Sequence, residues 1–299
     1  MQTALHILPN FLLILIGFVL SHRFDYGRGF WEGVEKLVYY VLFPALLFRS
    51  LALAQIDLAK TGTLIASACA FTAAGIVLSW LAKPVLCLDA TLAATCAQCG
   101  FRFNTYVGLA VAGSLWGTPG VALAAILLGV MIPLVNLVAV AMLASHARRG
   151  FGAEIVRNPL FLSTAAGFAW NAAGLPLPAF ADQTLNLLGQ TSLPAGLLSV
   201  GAALRIERGQ GPMAAHAWWL TVKLAALPAI ALGLIAWLGL HGVDAGILLL
   251  CAALPTASSA YILAVRMTGD GRAVATQITV GTLLSMLTIP IWLALLNET

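Results

Sequence analysis

The chain has 299 residues, 61% of them hydrophobic and only 9% charged, against roughly 25% charged and 45–50% apolar in soluble domains. That much apolar surface excludes a water-soluble fold and makes lipid the solvent. The formal charge of +4 comes from basic residues scattered through short loops, with no stripe of the kind that binds nucleic acid.

About 20 apolar residues cross a bilayer as a helix. In chain order, ten such runs occur, at 4–21, 34–53, 61–82, 90–113, 119–144, 157–175, 183–204, 214–238, 243–265 and 272–296. The first, around Leu5 to Leu20, has no basic residue ahead of it and is followed by Arg23 and Arg28, so it reads as an uncleaved span and not as a signal peptide. The second and seventh contain Pro44 and Pro194, which bend their helices by default. The fourth is interrupted at Gln98-Cys99-Gly100-Phe101-Arg102-Phe103-Asn104-Thr105, and the ninth at Leu254-Pro255-Thr256-Ala257-Ser258-Ser259. The longest hydrophilic connection runs only from Ser145 to Arg157, so no soluble domain is expected.

Basic residues set orientation. Loops after odd-numbered spans hold Arg23, Arg28, Lys36, Lys83, Arg148, Arg149, Arg157, Arg205, Arg208, Arg266 and Arg272, eleven of the fifteen Lys and Arg residues. The opposite loops hold Lys60, with Arg49 close to that side. Both termini are therefore expected outside, with the odd loops in the cytoplasm. The halves 1–150 and 151–299 also repeat. Pro44-Ala45-Leu46-Leu47 matches Pro194-Ala195-Gly196-Leu197, Ile56-Asp57 matches Ile206-Glu207, Tyr106 matches Tyr261, and Ile132-Pro133 matches Ile289-Pro290. Five spans per half is odd, so the second copy enters from the opposite side. The expected fold is an all-α membrane protein of ten transmembrane helices in two inverted five-helix repeats.

Broken helices at matching positions of two repeats mark the midplane binding site of a secondary transporter. Non-helical backbone at that depth survives only inside protein or against a watery cavity. Each second half-helix begins with N–H groups and the positive end of its dipole, a setting for an anion. The candidate substrate contacts are Arg102, Asn104, Thr105 and Tyr106 at the first break, and Pro255, Thr256, Ser258 and Ser259 at the second. Gln98 and Gln277 join them as polar residues on the path, although bonds between helices account equally well for these and for Asn10 and Asn136. Arg102 is the one charge placed near the bilayer centre, at a cost of about 2.5–3.5 kcal/mol on insertion scales. Either a solute anion or the carbonyls of the first half-helix compensate it. Lys223 and Arg49 lie near enough to span ends to snorkel. All eleven acids fall in loops or at span ends, whereas proton and cation antiporters keep a carboxylate at mid-depth. The solute is therefore expected to be an anion.

Enzyme signatures of the GxSxG, HExxH, paired-aspartate and P-loop kinds are missing, and His6, His22, His146, His216 and His241 all lie at span ends or in loops. Cys96 and Cys99 form a CxxC without the second pair a zinc site needs. Neither a metal nor a cofactor is expected.

The stretch Asn104-Thr105-Tyr106-Val107-Gly108-Leu109-Ala110, together with Ala252-Ala253-Leu254-Pro255, Arg157-Asn158-Pro159, the run from Leu193-Pro194 to Gly201-Ala202 and that from Lys223 to Pro228, resembles the auxin efflux carrier family, whose bacterial members include malate and malonate permeases. The likeness covers essentially the whole chain. It implies spans 4 and 9 crossing as broken helices, a scaffold of spans 1, 2, 6 and 7 that forms a homodimer, and an elevator of spans 3–5 and 8–10. Asn104 and Pro255 occupy the family's crossover positions. Where the family often has proline, Ala110 or Val111 stands, and the long cytoplasmic loop of the plant type is missing; both point from auxin to a small mono- or dicarboxylate as partner. Coupling to protons or sodium stays open at this level, as do two other readings: a sodium-coupled organic-anion symporter of the bile-acid type, and a sensor that binds without translocating.

Overall fold

The computed structural model describes residues 2–24, 26–54, 58–143, 159–205, 211–257, 259–268 and 271–296. Every regular element among them is helical. Helix α1 is Gln2–Arg23; α2, Gly27–Leu37, runs through a π-helical turn, Val38–Leu42, into α3, Phe43–Ala52. Next come α4, Leu58–Val85, α5, Ala90–Ala97, and α6, Thr105–Leu143. The second half holds α7, Pro159–Ala172, α8, Ala179–Ala203, α9, Met213–Thr221, and α10, Leu227–Leu238. It ends with α11, Gly242–Ala253, α12, Ser259–Thr268, and α13, Arg272–Leu296.

Four helical stretches among the described residues are long and apolar enough to cross a bilayer: Thr61–Val85, Ala90–Leu143, Met213–Leu238 and Arg272–Leu296. Ile7–Arg23 and Gly242–Ala253 are apolar but shorter. The second of the four is two spans in one. At Gly117 the backbone takes φ 61°, ψ −149°, a conformation that only glycine adopts cheaply, and the chain turns back on itself. A Cβ at Gly108 would lie 3.4 Å from Leu128 Cδ1, a residue about 30 Å further on in a continuous helix.

Two prolines follow π-helical turns. Pro44 stands at the second position of α3 after Val38–Leu42, and Pro228 at the second position of α10 after Val222–Ala226. Proline lacks an N–H and clashes with the carbonyl four residues back; a wider turn relieves both. The carbonyl left over before Pro228 is that of Leu224, and Trp292 Nε1 donates to it at 2.8 Å. Pro194, by contrast, lies inside α8.

Two packed groups emerge. In one, α1 lies against α8 and α3 against α7 and α8. The α1–α8 crossing is so close that a Cβ at Gly17 would meet the Leu198 carbonyl, and one at Gly201 the Ile14 carbonyl. Asn171 of α7 donates to Ala52 O at 3.1 Å and Ala54 O at 2.7 Å, closing the end of α3. Arg49 does not snorkel as expected. Its Nε and Nη2 donate to the two oxygens of Asp182, at 2.7 and 3.3 Å, because α8 brings an acid that lies far off in sequence beside α3. In the second group α4, α6, α10, α11 and α13 pack around one another. Helix α11 is buried on all sides from Ala245 to Ala253, as an all-round apolar helix should be. Adjacent indoles of α9 pin it to α4: Trp218 Nε1 donates to Leu78 O at 2.9 Å and Trp219 Nε1 to Ser79 O at 3.1 Å.

Candidate functional site: the crossing of two broken helices

The first break is framed by two caps. Asp89 starts α5 by accepting from Thr91 N at 2.8 Å and Leu92 N at 3.1 Å, and those backbone N–H groups, Leu92's foremost, hold its carboxyl below the usual carboxylate range. Helix α5 tightens into a 3₁₀ turn at Gln98–Gly100, and the chain runs open until α6 starts at Thr105. The second break opens where Leu254 turns extended, with φ −60° and ψ 142°, and closes at Ser259. Ser258 lies outside the described residues.

The two breaks meet. Asn104 N donates to Pro255 O at 2.8 Å, and Thr256 Oγ1 to Cys99 O at 2.7 Å. Gln98 Nε2 donates to Thr95 O at 3.0 Å and reaches Ala260 O at 3.4 Å. Each broken helix thus supplies the backbone partners that the other's missing turn leaves unmet, which is how open backbone survives in an apolar interior.

Arg102 bridges them as well. Its Nη1 donates to Gln98 Oε1 at 2.9 Å, and its Nη2 to Asn136 Oδ1 at 3.0 Å and Ser259 Oγ at 2.8 Å. Hydrogen bonds to charged groups are worth about 1.5–3 kcal/mol each, so three of them offset the insertion cost. The partners are all neutral, and the positive charge is therefore held but not cancelled. Arg102 itself is 6% exposed, while Asn136 is half-buried and Ser259 exposed.

Asn104 changes the expected chemistry. Its Oδ1 accepts from Tyr106 N at 3.1 Å and Val107 N at 3.3 Å. It is the N-cap of α6, and it consumes two of the N–H groups that the sequence reading left open for an anion. What remains is its own Nδ2, buried and without a hydrogen-bond partner among the described residues. A buried amide N–H₂ left unmet costs about 1–3 kcal/mol, and an incoming acceptor would remove that cost. The donor left open at this point is the side chain of Asn104 more than the end of the helix.

The other candidates divide. Thr105 lines a small apolar cleft with Leu47, Leu109, Leu128, Ile132 and Thr164 among its walls, where α3, α6 and α7 meet. Tyr106 stacks on Phe43 of α3, centroids 4.8 Å apart and planes 3° from parallel. Tyr261, its counterpart in the second half, places its hydroxyl 3.2 Å from Arg205 Nη1. Gln277 joins neither break by hydrogen bond; its Nε2 lies 2.9 Å from His216 Nδ1 and donates to His216 O at 3.1 Å. Lys223 does not snorkel. It is 2% exposed and donates to Ala252 O at 3.2 Å, because its place in the π-helical turn Val222–Ala226 aims it inward. Length from the span end gave no hint of that turn; the proline after it, Pro228, is the signal that could have. Among the described residues no cluster of His, Cys, Asp and Glu suits a metal ion.

Two comparisons with known proteins place the chain beside transporters. Residues 148–293 match the family described as membrane transport protein. An uncharacterized transporter of Methanothermobacter thermautotrophicus is 25% identical over 299 residues, covering 97% of this chain and 96% of its own. Both matches are to transporters, not enzymes, and the helices are those of a multi-pass membrane protein. The chain is thus similar to membrane transport proteins, through its second half to that family and over nearly its whole length to the Methanothermobacter transporter.

Proposed function

We propose that the protein is a secondary carrier of small organic anions, mono- or dicarboxylates, which binds its solute at the crossing of the broken helices and moves it by alternating access. The observation that carries this reading is the pairing at the crossing of an uncancelled buried Arg102 with the unmet Nδ2 of Asn104. One supplies charge and the other a neutral donor, and no described acid stands against either. Neutral donors suit a carrier, since binding must also be reversible. The solute contacts proposed are Arg102, Asn104, Thr105, Tyr106, Pro255, Thr256, Ser258 and Ser259, with Gln98 holding Arg102 in place and Gln277 further off.

Ten spans in two inverted repeats go with this reading. Packing supports it: the pair α1 with α8 (spans 1 and 7) becomes, under exchange of the halves, α7 with α3 (spans 6 and 2), and both pairs are present. Spans 1, 2, 6 and 7 would then form the scaffold and the dimer contact, and spans 3–5 and 8–10 the elevator. Both termini would face the periplasm across an inner membrane. Single cysteines at position 60, labelled from outside, and position 149, labelled from inside, test that orientation; the reverse pattern overturns it.

Counterflow of labelled malonate or malate in proteoliposomes tests the function. Saturable exchange is expected. Binding without exchange would favour a sensor, and an absolute sodium requirement would favour a symporter of the bile-acid type.

A further inference from the structure

Lys223 is among the largest fully buried side chains of the protein, and nothing at the crossing of the breaks accounts for it. Its Nζ donates to the carbonyl of Ala252, in the last turn of α11. The last carbonyls of a helix have no partner within it, and they carry its negative dipole end, equivalent to roughly half a charge. In transporters with broken helices, such carboxyl ends and unwound carbonyls are where coupling cations are held. The first break closes its own carboxyl end without a cation: Arg102 N and Phe101 N both donate to Gln98 O, at 2.9 and 3.4 Å, and Thr256 Oγ1 covers Cys99 O. The end of α11 has an ammonium instead, delivered by the π-helical turn.

We propose that Lys223 is a resident cation. Its ammonium fills the position at the carbonyl end of α11 that an alkali-metal ion or small ammonium would otherwise take, and it holds the second break in the geometry that receives the solute. It is a positioning residue, acting through α11 and not by touching the solute. The proposal rests on the carrier reading above.

The test uses the purified full chain in proteoliposomes. Wild-type malonate exchange should run equally fast in sodium and in N-methylglucamine buffers; a sodium requirement overturns the proposal. Lys223→Met should slow exchange about tenfold or more, while Lys223→Arg stays within about threefold of wild type, as expected for loss or retention of one charge–dipole contact away from water. Equal rates for Lys223→Met and wild type overturn it. Lys223→Ala opens the position, so methylammonium or sodium should raise both its exchange rate and its melting temperature by mass action; no response to either ion overturns it. The methionine side chain fills the space, so Lys223→Met should not respond. The melting-temperature arm reads the cation position without transport. A wild type that exchanges no carboxylate in any buffer would sink the carrier reading alone, and the thermal response of Lys223→Ala would still decide this one.

Discussion

The two breaks cross at one place but are made of different chemistry. The first carries side-chain function: a capping asparagine with a spare donor, an arginine and the glutamine that holds it. The second carries backbone and hydroxyls: the carbonyls of Pro255 and Ala260, and the hydroxyls of Thr256 and Ser259. Under the proposed carrier function, the first break would do more to read the solute and the second more to hold the first in shape. That division predicts that substitutions at the first break change recognition, while those at the second change stability first.

The largest effect is expected from Asn104→Ala. It removes the N-cap of α6, worth about 1 kcal/mol, and the unmet donor, whose bond to a charged solute is worth about 1.5–3 kcal/mol. Malonate exchange should fall at least about tenfold, beyond what the drop in melting temperature explains. Asn104→Asp sharpens the point, since it keeps the capping oxygen and replaces the donor by an acceptor. Its melting temperature should hold while exchange is lost; normal exchange would move the solute off the first break. Next comes Arg102→Gln, which should weaken binding of a dianion about tenfold more than that of a monoanion, as a charge contact in a poorly screened site would. Equal losses would make the arginine a purely structural bridge.

Thr256→Val tests the other side. It leaves the Cys99 carbonyl buried without a donor, a cost of about 1–3 kcal/mol, so thermal stability should fall more than solute affinity, and Thr256→Ser should restore both. The smallest effect is expected from Tyr261→Phe, which keeps the ring, 5.1 Å from the Arg205 guanidinium carbon, and removes one partly exposed hydrogen bond. Exchange within about threefold of wild type is expected for a contact worth about 1 kcal/mol or less. A collapse there would mean that the second break reads the solute as closely as the first.

The breaks themselves were legible in the sequence because arginine, asparagine and proline have no reason to interrupt an apolar run unless the helix stops. What the asparagine does there was not. A residue type shows that an amide is present, but only coordinates show that its oxygen is spent on Tyr106 and Val107 and its nitrogen on nothing. Arg49 and Lys223 were misread for a related reason. Nearness to a span end makes snorkelling cheap, and it hides both an acid brought in by a distant helix and a π-helical turn that rotates a lysine inward. Gln277 looked like a path residue because its partner, His216, lies on another helix whose neighbours spacing cannot reveal. The turn at Gly117 passed unread as well, since its backbone conformation leaves no mark on hydropathy.

The twin indoles of α9 have a mechanical consequence. Trp218 and Trp219 grip the carbonyls of two consecutive residues of α4, like two teeth of a gear set in neighbouring notches. Slippage of α4 along α9 by even one residue would strip both at once. Any stroke that keeps these two bonds would carry both helices together as a single shaft.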